Sequence, residues 1–320
     1  MVVPQRWRLV HGSLTVNSVM SVSCDWFQRF CQTNRLPESY GRVAEQYFFP
    51  LAERLVQRCV SSAPLLVGIN GCQGSGKSTL AQLLVMALEQ LNCSAVALSL
   101  DDFYLTYSQR QALAASTHPL LATRGVPGTH DVALMSATLE ALLEADHRES
   151  RTIIVPSFNK AIDDRTETAR WPTVQSPVDV VIWEGWCLGV PPQHSTELAA
   201  AVNQLEKLED TCGRWRGFAN QALLQYQPLF DRVDHWIMLK APDFDCVYQW
   251  RLEQEEKLAA HSSDGEAIMS PQQVARFIQF YQRITEWGFL AVPPRTHTLF
   301  TLDADRGIQS VSSPRKEVRV

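Results

Sequence analysis

The sequence lacks the features that direct a protein to a nucleic acid or a membrane. Its 320 residues include 29 Lys and Arg against 34 Asp and Glu, so a formal net charge of −5 leaves no basic surplus for phosphate backbones or anionic lipids. No run approaches the roughly 20 apolar residues that cross a bilayer, and residues 1–20 lack the continuous apolar core of a signal peptide. We therefore expect a cytoplasmic protein with no nucleic-acid or membrane partner.

The eight cysteines also lack a pattern. They are scattered, with no CxxC pair and no His and Cys group at the spacing of zinc ligands. A chain with 45% apolar residues can bury a large core without covalent cross-links. We expect reduced thiols rather than a disulfide framework.

The sequence does contain an alternation of short apolar runs with longer amphipathic segments. This alternation predicts an α/β fold in which a mostly parallel central sheet lies between layers of helices. The predicted strands cover residues 65–70, 94–100, 178–183, 235–239 and 297–302. The predicted helices cover residues 77–90, 132–145, 197–209, 244–259 and 271–287, and Gly288 is expected to end the last of them.

A phosphate-binding motif follows the first predicted strand. Residues 71–78 fit the pattern GxxxxGK[ST], with an apolar strand before them and a helix pattern after them. Glycines let the main chain approach phosphate oxygens, so that successive N–H groups point at the phosphates where the helix begins. We assign ATP binding to this segment, which comprises Gly71, Cys72, Gln73, Gly74, Ser75, Gly76, Lys77, Ser78 and Thr79.

Two side chains of this motif have predicted chemical roles. Lys77 would bridge the β and γ phosphates of ATP and act in catalysis, and the Ser78 hydroxyl would ligate Mg²⁺. The alternative is a glycine-rich turn that only joins a strand to a helix, but such a turn needs neither the lysine nor the serine. Cys72 is expected to fill space and to face away from the nucleotide.

Carboxylates end two of the predicted strands. Asp101 and Asp102 follow the second strand, and Glu184 follows the third. Because ligands of open parallel sheets gather at the carboxyl ends of the strands, these side chains can reach the phosphates. We assign Asp101 as the general base and Glu184 as a ligand of Mg²⁺, directly or through water. Asp102 is either catalytic or a turn residue, and a structural role is also the alternative for the other two.

Four segments, GSGKST, SLDDFYLT, RGVPGTHD and WEGW, together resemble the D-glycerate 3-kinase group. This group lies within a larger set that contains uridine kinase, phosphoribulokinase and pantothenate kinase. The resemblance covers roughly residues 40–310. In the larger set the aspartate of a D-x-F-Y type motif acts as the base, and the match falls on Asp101, in agreement with its position after the second strand.

The resemblance also implies residues that bind the phosphoryl acceptor. Arg124, Thr129 and His130 would contact a small hydroxy acid, since a carboxylate favours a cation and hydroxyl donors. The alternative is that this segment only forms a turn and that Asp131 caps the next helix.

A second implied group lies further along the chain. Either Lys160 or Arg165 would bind the acceptor carboxylate, and Arg251 would close over the phosphates as part of a lid. The alternatives are a solvated surface lysine and a helix-surface salt bridge for Arg251. The chain has Phe158-Asn159-Lys160 where plant-like glycerate kinases tend to have Tyr-Asp-Lys, which leaves the acceptor open.

These observations together predict a three-layer P-loop NTPase fold that works as an ATP-dependent small-molecule kinase. The leading expectation is phosphoryl transfer to a hydroxyl of a small acid, D-glycerate giving 3-phosphoglycerate. The alternatives are another acceptor, such as a nucleoside, a pantothenate-like compound or a sugar, and a nucleotide-dependent switch ATPase. The expected organisation is a disordered tail at 1–20, a helical N-terminal extension at 21–62, a P-loop kinase domain at 63–310 with a helical insertion at 191–227, and a flexible tail at 311–320.

Overall fold

Apolar runs and amphipathic segments alternate through the whole fold. The structure is a computed structural model, and it describes residues 20–59, 63–144, 150–259 and 269–315. The strands within these residues are β1 (Leu65–Gly71), β2 (Ala95–Ser99), β3 (Arg151–Ile154), β4 (Phe158–Asn159), β5 (Asp164–Arg165), β6 (Thr173–Ser176), β7 (Val180–Gly185), β8 (His235–Lys240), β9 (Thr298–Leu302) and β10 (Ile308–Ser312).

The helices of the same residues surround the sheet. They are α1 (Asp25–Thr33), α2 (Ser39–Val43), α3 (Phe49–Arg58), α4 (Lys77–Gln90), α5 (Tyr107–Ser116), α6 (Val132–Leu143), α7 (Gln204–Glu209), α8 (Arg214–Phe230), α9 (Phe244–Ala259) and α10 (Pro271–Ala291). A π-helical turn at Ala44–Phe48 joins α2 to α3.

Six strands form the central sheet in the order β10-β9-β8-β1-β7-β2. All neighbours in it are parallel except β10, which runs antiparallel to β9 at one edge. Every residue of β1 and of β7 is buried, as expected for strands that are covered on both faces. The carboxyl ends of the parallel strands therefore meet at one edge, where ligands of such sheets bind.

Alternate residues of β1 point to two hydrophobic layers. Val67 and Ile69 pack against a cluster that includes side chains of α1, α3, α4 and α9. Leu66 points to the other face, where its cluster includes side chains of α6, α8 and α10. The fold is thus the predicted three-layer arrangement, and α8, most of which lies in the segment predicted as an insertion, packs directly on the sheet.

The five predicted strands of the central sheet are present, with ends that shift by one or two residues, and α4 and α9 begin and end at the predicted residues. The single helix predicted at 197–209 is wrong. A short 3₁₀ turn covers Ser195–Leu198, and Asn203, in extended backbone, then caps a separate helix α7. An N-cap residue has non-helical backbone angles, so one continuous helix cannot run through Asn203.

The end of α10 also differs from the prediction. This helix continues through Gly288 to Ala291, because Gly288 serves packing rather than termination. A Cβ at Gly288 would lie 3.2 Å from Val190 Cγ2, so the position favours the smallest residue.

The ends of the chain are described only in part. The predicted tail at 1–20 lies outside the described residues except for Met20, whose side chain is buried in the core. Strand β10 extends two residues into the segment predicted as a flexible tail, where Val311 pairs with Phe300 and Ser312 with Leu299. Among the described residues, no helix combines the length and the apolar character that a bilayer span requires.

Candidate active site

The predicted phosphate loop connects β1 to α4 at the carboxyl edge of the sheet. Gly74 and Gly76 have φ angles of +76° and +89°, which favour glycine. At Gly74 a Cβ would also lie 2.5 Å from the Cβ of Trp250 on α9. Cys72 is buried, and burial raises the pKa of its thiol to about 12, which fits its predicted role as a space-filling residue. The loop thus has the conformation that the motif predicts, and its close packing depends on glycine.

The two predicted metal ligands lie together behind this loop. Ser78 Oγ donates to Glu184 Oε1 at 2.7 Å, and Lys77 Nζ lies 4.0 Å from Glu184 Oε2. Glu184 is only 5% exposed, and its Oε2 has no hydrogen-bond partner among the described residues. A buried carboxylate oxygen without a partner costs free energy unless a cation or donor reaches it. Lys77 Nζ at 4.0 Å offsets this cost in part, and a cation bound beside the phosphate loop would offset more of it.

Asp101 lies in a 3₁₀ turn, Leu100–Phe103, directly after β2. Its Oδ2 accepts from Lys160 Nζ at 2.6 Å, and its Oδ1 accepts from the Tyr104 hydroxyl at 2.7 Å. Burial alone would raise the pKa of the carboxyl, but the charges of Lys160 and Lys77 and these two hydrogen bonds outweigh burial and hold the pKa below its ordinary value. Asp101 is thus a charged carboxylate beside the phosphate loop.

Asp102 faces a different neighbour. Its Oδ1 accepts from Phe158 N at 3.2 Å, which ties the turn after β2 to the hairpin of β4 and β5. Burial raises the pKa of Asp102 to about 6, and the negative charge of Asp101 adds to the effect. The hydrogen bond fits the turn-residue alternative, whereas the raised pKa shows that charging this carboxyl is unfavourable.

The segment 124–131 forms a loop that three aromatic side chains hold in place. Tyr226 Oη accepts from Gly128 N at 3.2 Å, and the Tyr281 hydroxyl donates to Arg124 O at 3.2 Å. Trp186 Nε1 donates to Gly125 O at 3.1 Å. These donors and acceptors come from α8, α10 and the segment after β7, so three distant parts of the chain fix this loop.

Among the residues of this loop that are predicted to bind the phosphoryl acceptor, His130 has a ring nitrogen without a hydrogen-bond partner in the described part of the chain. Its ring is 4% exposed and stacks on the Tyr104 ring at 4.7 Å. Nδ1 lies 2.8 Å from Tyr226 Oη, and Nε2 is buried without a hydrogen-bond partner among the described residues. Burial lowers the pKa of His130 to about 4, so the ring is neutral at pH 7.

Thr129 forms its hydrogen bonds within its own loop. It is fully buried, its hydroxyl donates to Val126 O at 2.7 Å, and the same oxygen accepts from Gly125 N at 3.0 Å. Both hydrogen bonds lie within the loop, so the structure favours the turn alternative at this position.

The two predicted arginines of the acceptor side have partners within the protein. Arg124 pairs with Asp163 and lies over the Phe158 ring at 5.5 Å. Arg165 donates to Tyr104 O at 2.7 Å and to Asp131 Oδ2 at 2.9 Å. Arg124 thus links the loop to the hairpin tip, while Arg165 fixes the two segments that flank Asp101. Of the predicted cations, Lys160 is the one that contacts the predicted base directly.

Arg251 lies on α9 and forms the salt bridge along the helix that was the alternative to a role in a lid. It pairs with Glu255 one turn further along, and its guanidinium lies over the Phe277 ring at 5.6 Å. A cation that contacts the loop directly is Arg306, whose Nε donates to Gly74 O at 2.8 Å. Sequence reasoning missed Arg306, since no motif distinguishes it.

Fold and site together define a P-loop kinase. A relative in Schizosaccharomyces pombe, named as an uncharacterised kinase, is 35% identical over 231 residues, which are 68% of this chain and 78% of that protein. The chloroplastic D-glycerate 3-kinase of Arabidopsis thaliana is 34% identical over 226 residues, 68% of this chain and 46% of that protein, so the match spans about half of the plant protein. No family model matches the sequence.

A solved structure extends this similarity to the fold. The D-glycerate 3-kinase of Cryptococcus neoformans superposes with a TM-score of 0.66 at 30% identity and covers 84% of this chain and 98% of that one. The chain therefore belongs to the D-glycerate 3-kinase-like family of P-loop kinases, and it is an ATP-dependent kinase. The cytoplasmic location stays a prediction, because the plant relative is named as chloroplastic.

Proposed function

We propose that the chain transfers the γ-phosphoryl group of ATP to a hydroxyl of D-glycerate and forms 3-phosphoglycerate. The observation behind this proposal is the position of Asp101, which lies at the end of β2 beside the phosphate loop and contacts Lys160 at 2.6 Å. A charged carboxylate suits an acceptor that must lose a proton, and an exposed lysine next to it suits an acceptor that carries a carboxylate. The names of the plant and fungal relatives support D-glycerate as that acceptor.

In this mechanism Asp101 accepts the hydroxyl proton while the hydroxyl oxygen attacks the γ-phosphorus. The bond between the γ-phosphorus and the oxygen that bridges to the β phosphate breaks, and ADP leaves. Lys77 and the main-chain amides of the phosphate loop stabilise the charge that develops on the phosphate oxygens. Lys160 moves from Asp101 to the acceptor carboxylate, which frees Asp101 to take the proton.

Mg²⁺ fits the residues behind the phosphate loop. Ser78 Oγ and the buried Glu184 Oε2, which accepts no hydrogen bond from the described residues, are hard oxygen donors, which Mg²⁺ prefers. Among the described residues, no group of three or more His, Cys, Asp and Glu side chains is arranged to hold a metal, so phosphate oxygens and water would complete the shell. When bound, Mg²⁺ would neutralise phosphate charge.

The proposal is tested by measuring ADP release with a panel of hydroxy acids, nucleosides, pantothenate and sugars. We expect D-glycerate to accelerate ADP release most. Strong acceleration by a nucleoside or a sugar, with none by D-glycerate, would contradict the proposed acceptor, and slow ATP turnover that no compound accelerates would favour a switch ATPase.

Two substitutions then assign the roles. Asp101→Asn is expected to lower kcat by about 100-fold or more, the usual contribution of a general base, with the KM for ATP nearly unchanged. Asp231→Asn, on an exposed side chain at the end of α8, is the matched control. Lys160→Met is expected to raise the KM for an acid acceptor and to leave the KM for ATP unchanged, and equal effects on both would argue against a role in acceptor binding.

A further inference from the structure

A buried hydrogen-bond chain connects the helical insertion to the candidate acceptor side. Gly128 N lies 3.2 Å from Tyr226 Oη, and Tyr226 Oη lies 2.8 Å from His130 Nδ1. The Tyr226 side chain is fully buried and His130 is 4% exposed, so water does not compete for these contacts. Helix α8 therefore reaches the same loop that carries the predicted acceptor residues.

The positions of the protons in this chain follow from its donors. An amide N–H can only donate, so Tyr226 Oη accepts from Gly128 N. The hydrogen-bond partners that the described residues give this hydroxyl belong to Gly128 and His130. The Tyr226 proton therefore has His130 Nδ1 as its acceptor, because any other arrangement leaves a buried hydroxyl proton without a partner. Nδ1 is then bare, and Nε2 carries the proton of the neutral ring.

The protonated Nε2 is on the side of the ring away from Tyr226 Oη. It has no hydrogen-bond partner among the described residues, and its ring stacks on Tyr104, whose hydroxyl donates to Asp101. The unpaired donor thus lies close to the candidate base. A buried donor without a partner costs free energy, and a ligand oxygen in hydrogen-bond range removes this cost.

We propose that Tyr226 holds His130 as the Nε2–H tautomer, so that His130 donates a neutral hydrogen bond to an oxygen of the phosphoryl acceptor. Tyr226 is then a positioning residue, and helix α8 of the insertion is part of the acceptor site. This inference rests on the proposed function only for the identity of the ligand. The tautomer itself is a property of the protein alone.

The first test measures the tautomer in the full chain without any substrate. Isotope-labelled histidine and proton–nitrogen correlation spectra distinguish a protonated from a bare ring nitrogen, and His130→Gln identifies the signal among the eight histidines. We expect a bare Nδ1 and a protonated Nε2 in the wild type, and a loss of this preference in Tyr226→Phe. A protonated Nδ1 in the wild type would overturn the proposal.

Tyr281→Phe is the matched control for that spectrum. This substitution removes a tyrosine hydroxyl that donates to Arg124 O in the same loop. Among the hydrogen bonds of the described residues, none joins this hydroxyl to His130. We expect the His130 tautomer to be unchanged in this variant. An equal loss of the tautomer in both variants would show that loop geometry, rather than the Tyr226 proton, selects it, and would overturn the role of Tyr226.

The second test measures the hydrogen bond to the acceptor. The amide nitrogen of Gln reaches about as far as Nε2, whereas that of Asn reaches only about as far as Nδ1. His130→Asn should therefore lower kcat/KM for the acceptor about tenfold, the effect of one lost hydrogen bond, while His130→Gln should recover most of it and the KM for ATP should stay constant in both. Equal loss in the two variants would overturn the donor role.

The two tests separate this proposal from the proposed function. If D-glycerate fails and another compound accelerates ADP release, the Asn and Gln comparison is made with that compound, and the tautomer result is unaffected. If D-glycerate is the acceptor and Nδ1 proves to be protonated, the proposed function stands and this inference falls.

Discussion

Substitution of Asp102 tests whether this residue has a structural or a catalytic role. The structure predicts the direction in which the substitution changes the free energy of unfolding. The Asp102→Asn variant keeps an oxygen that can accept from Phe158 N, the bond that measures 3.2 Å in the wild type, and it removes the ionisable carboxyl. Because burial raises the pKa of Asp102 from 3.8 to about 6, the folded protein binds this proton more tightly than the unfolded chain does. The carboxyl therefore favours folding most at low pH, and this contribution is lost as the pH rises from about 4 to about 6.

The magnitude follows from the size of the shift. One pKa unit corresponds to about 1.4 kcal/mol, so a shift from 3.8 to about 6 corresponds to about 3 kcal/mol. Asp102 is partly exposed, and water screens part of this penalty. We expect Asp102→Asn to raise the free energy of unfolding by about 1–2 kcal/mol at pH 8, relative to its effect at pH 4.

Urea denaturation of both proteins at pH 4, 6 and 8 measures this difference. The same variant should keep kcat within about tenfold of the wild type, because Asp101 remains to act as the base. A stability change that is equal at all three pH values would refute the reasoning about the buried charge. A loss of kcat as large as that of Asp101→Asn would instead assign Asp102 a catalytic role.

Three further substitutions test the packing that positions the site. Gly74→Ala should weaken ATP binding at least tenfold, about 1.4 kcal/mol, because φ is +76° and a Cβ would lie 2.5 Å from an α9 side chain. Gly217→Ala is the control and should leave ATP binding unchanged, because its added Cβ would meet nothing within 4 Å. Arg283→Met should lower the free energy of unfolding by about 3–5 kcal/mol, because it leaves the buried Glu206 charge unpaired, and the double variant with Glu206→Leu should recover most of the loss in the same urea titration. Burial lowers the pKa of His235 to about 3, so the unfolded chain takes up a proton that the folded protein excludes, and stability should fall as the pH drops below about 6.5. His235→Asn should flatten this dependence between pH 7 and pH 5, and an unchanged slope would contradict the assignment.

The nucleotide half of the site could be predicted from the sequence because its geometry is local. A strand, a glycine-rich loop and a helix follow one another within residues 65–90, and α4 begins at Lys77 as the motif requires. The meeting of Ser78 with Glu184 needed one further step, the rule that parallel strands end at the same edge of a sheet. Both steps depend on main-chain topology and not on side-chain detail.

The acceptor half could be predicted only in outline, because its side chains find partners far along the chain. Arg124 was expected to face the acceptor, but its pairing with Asp163 joins two segments whose approach no local pattern indicates. Tyr226 lies 96 residues from His130 and gave no signal in the sequence. The role of Thr129 stays a prediction, although hydrogen bonds within its own loop involve its hydroxyl both as donor and as acceptor.

We interpret the segment 191–227, predicted as a helical insertion, as part of the acceptor half. Arg283 of α10 donates two hydrogen bonds to the buried carboxylate of Glu206, so α7 is tied to α10. The next helix, α8, then places Phe218 where a Cβ at Gly128 would lie 2.5 Å from its ring, and places Tyr226 on His130. A change in the position of α8 would therefore move the loop that holds the predicted acceptor residues, while the phosphate loop on α4 would stay in place. Substitutions in the insertion should accordingly alter the KM for the acceptor more than the KM for ATP, and the reverse result would show that the insertion only supports the core.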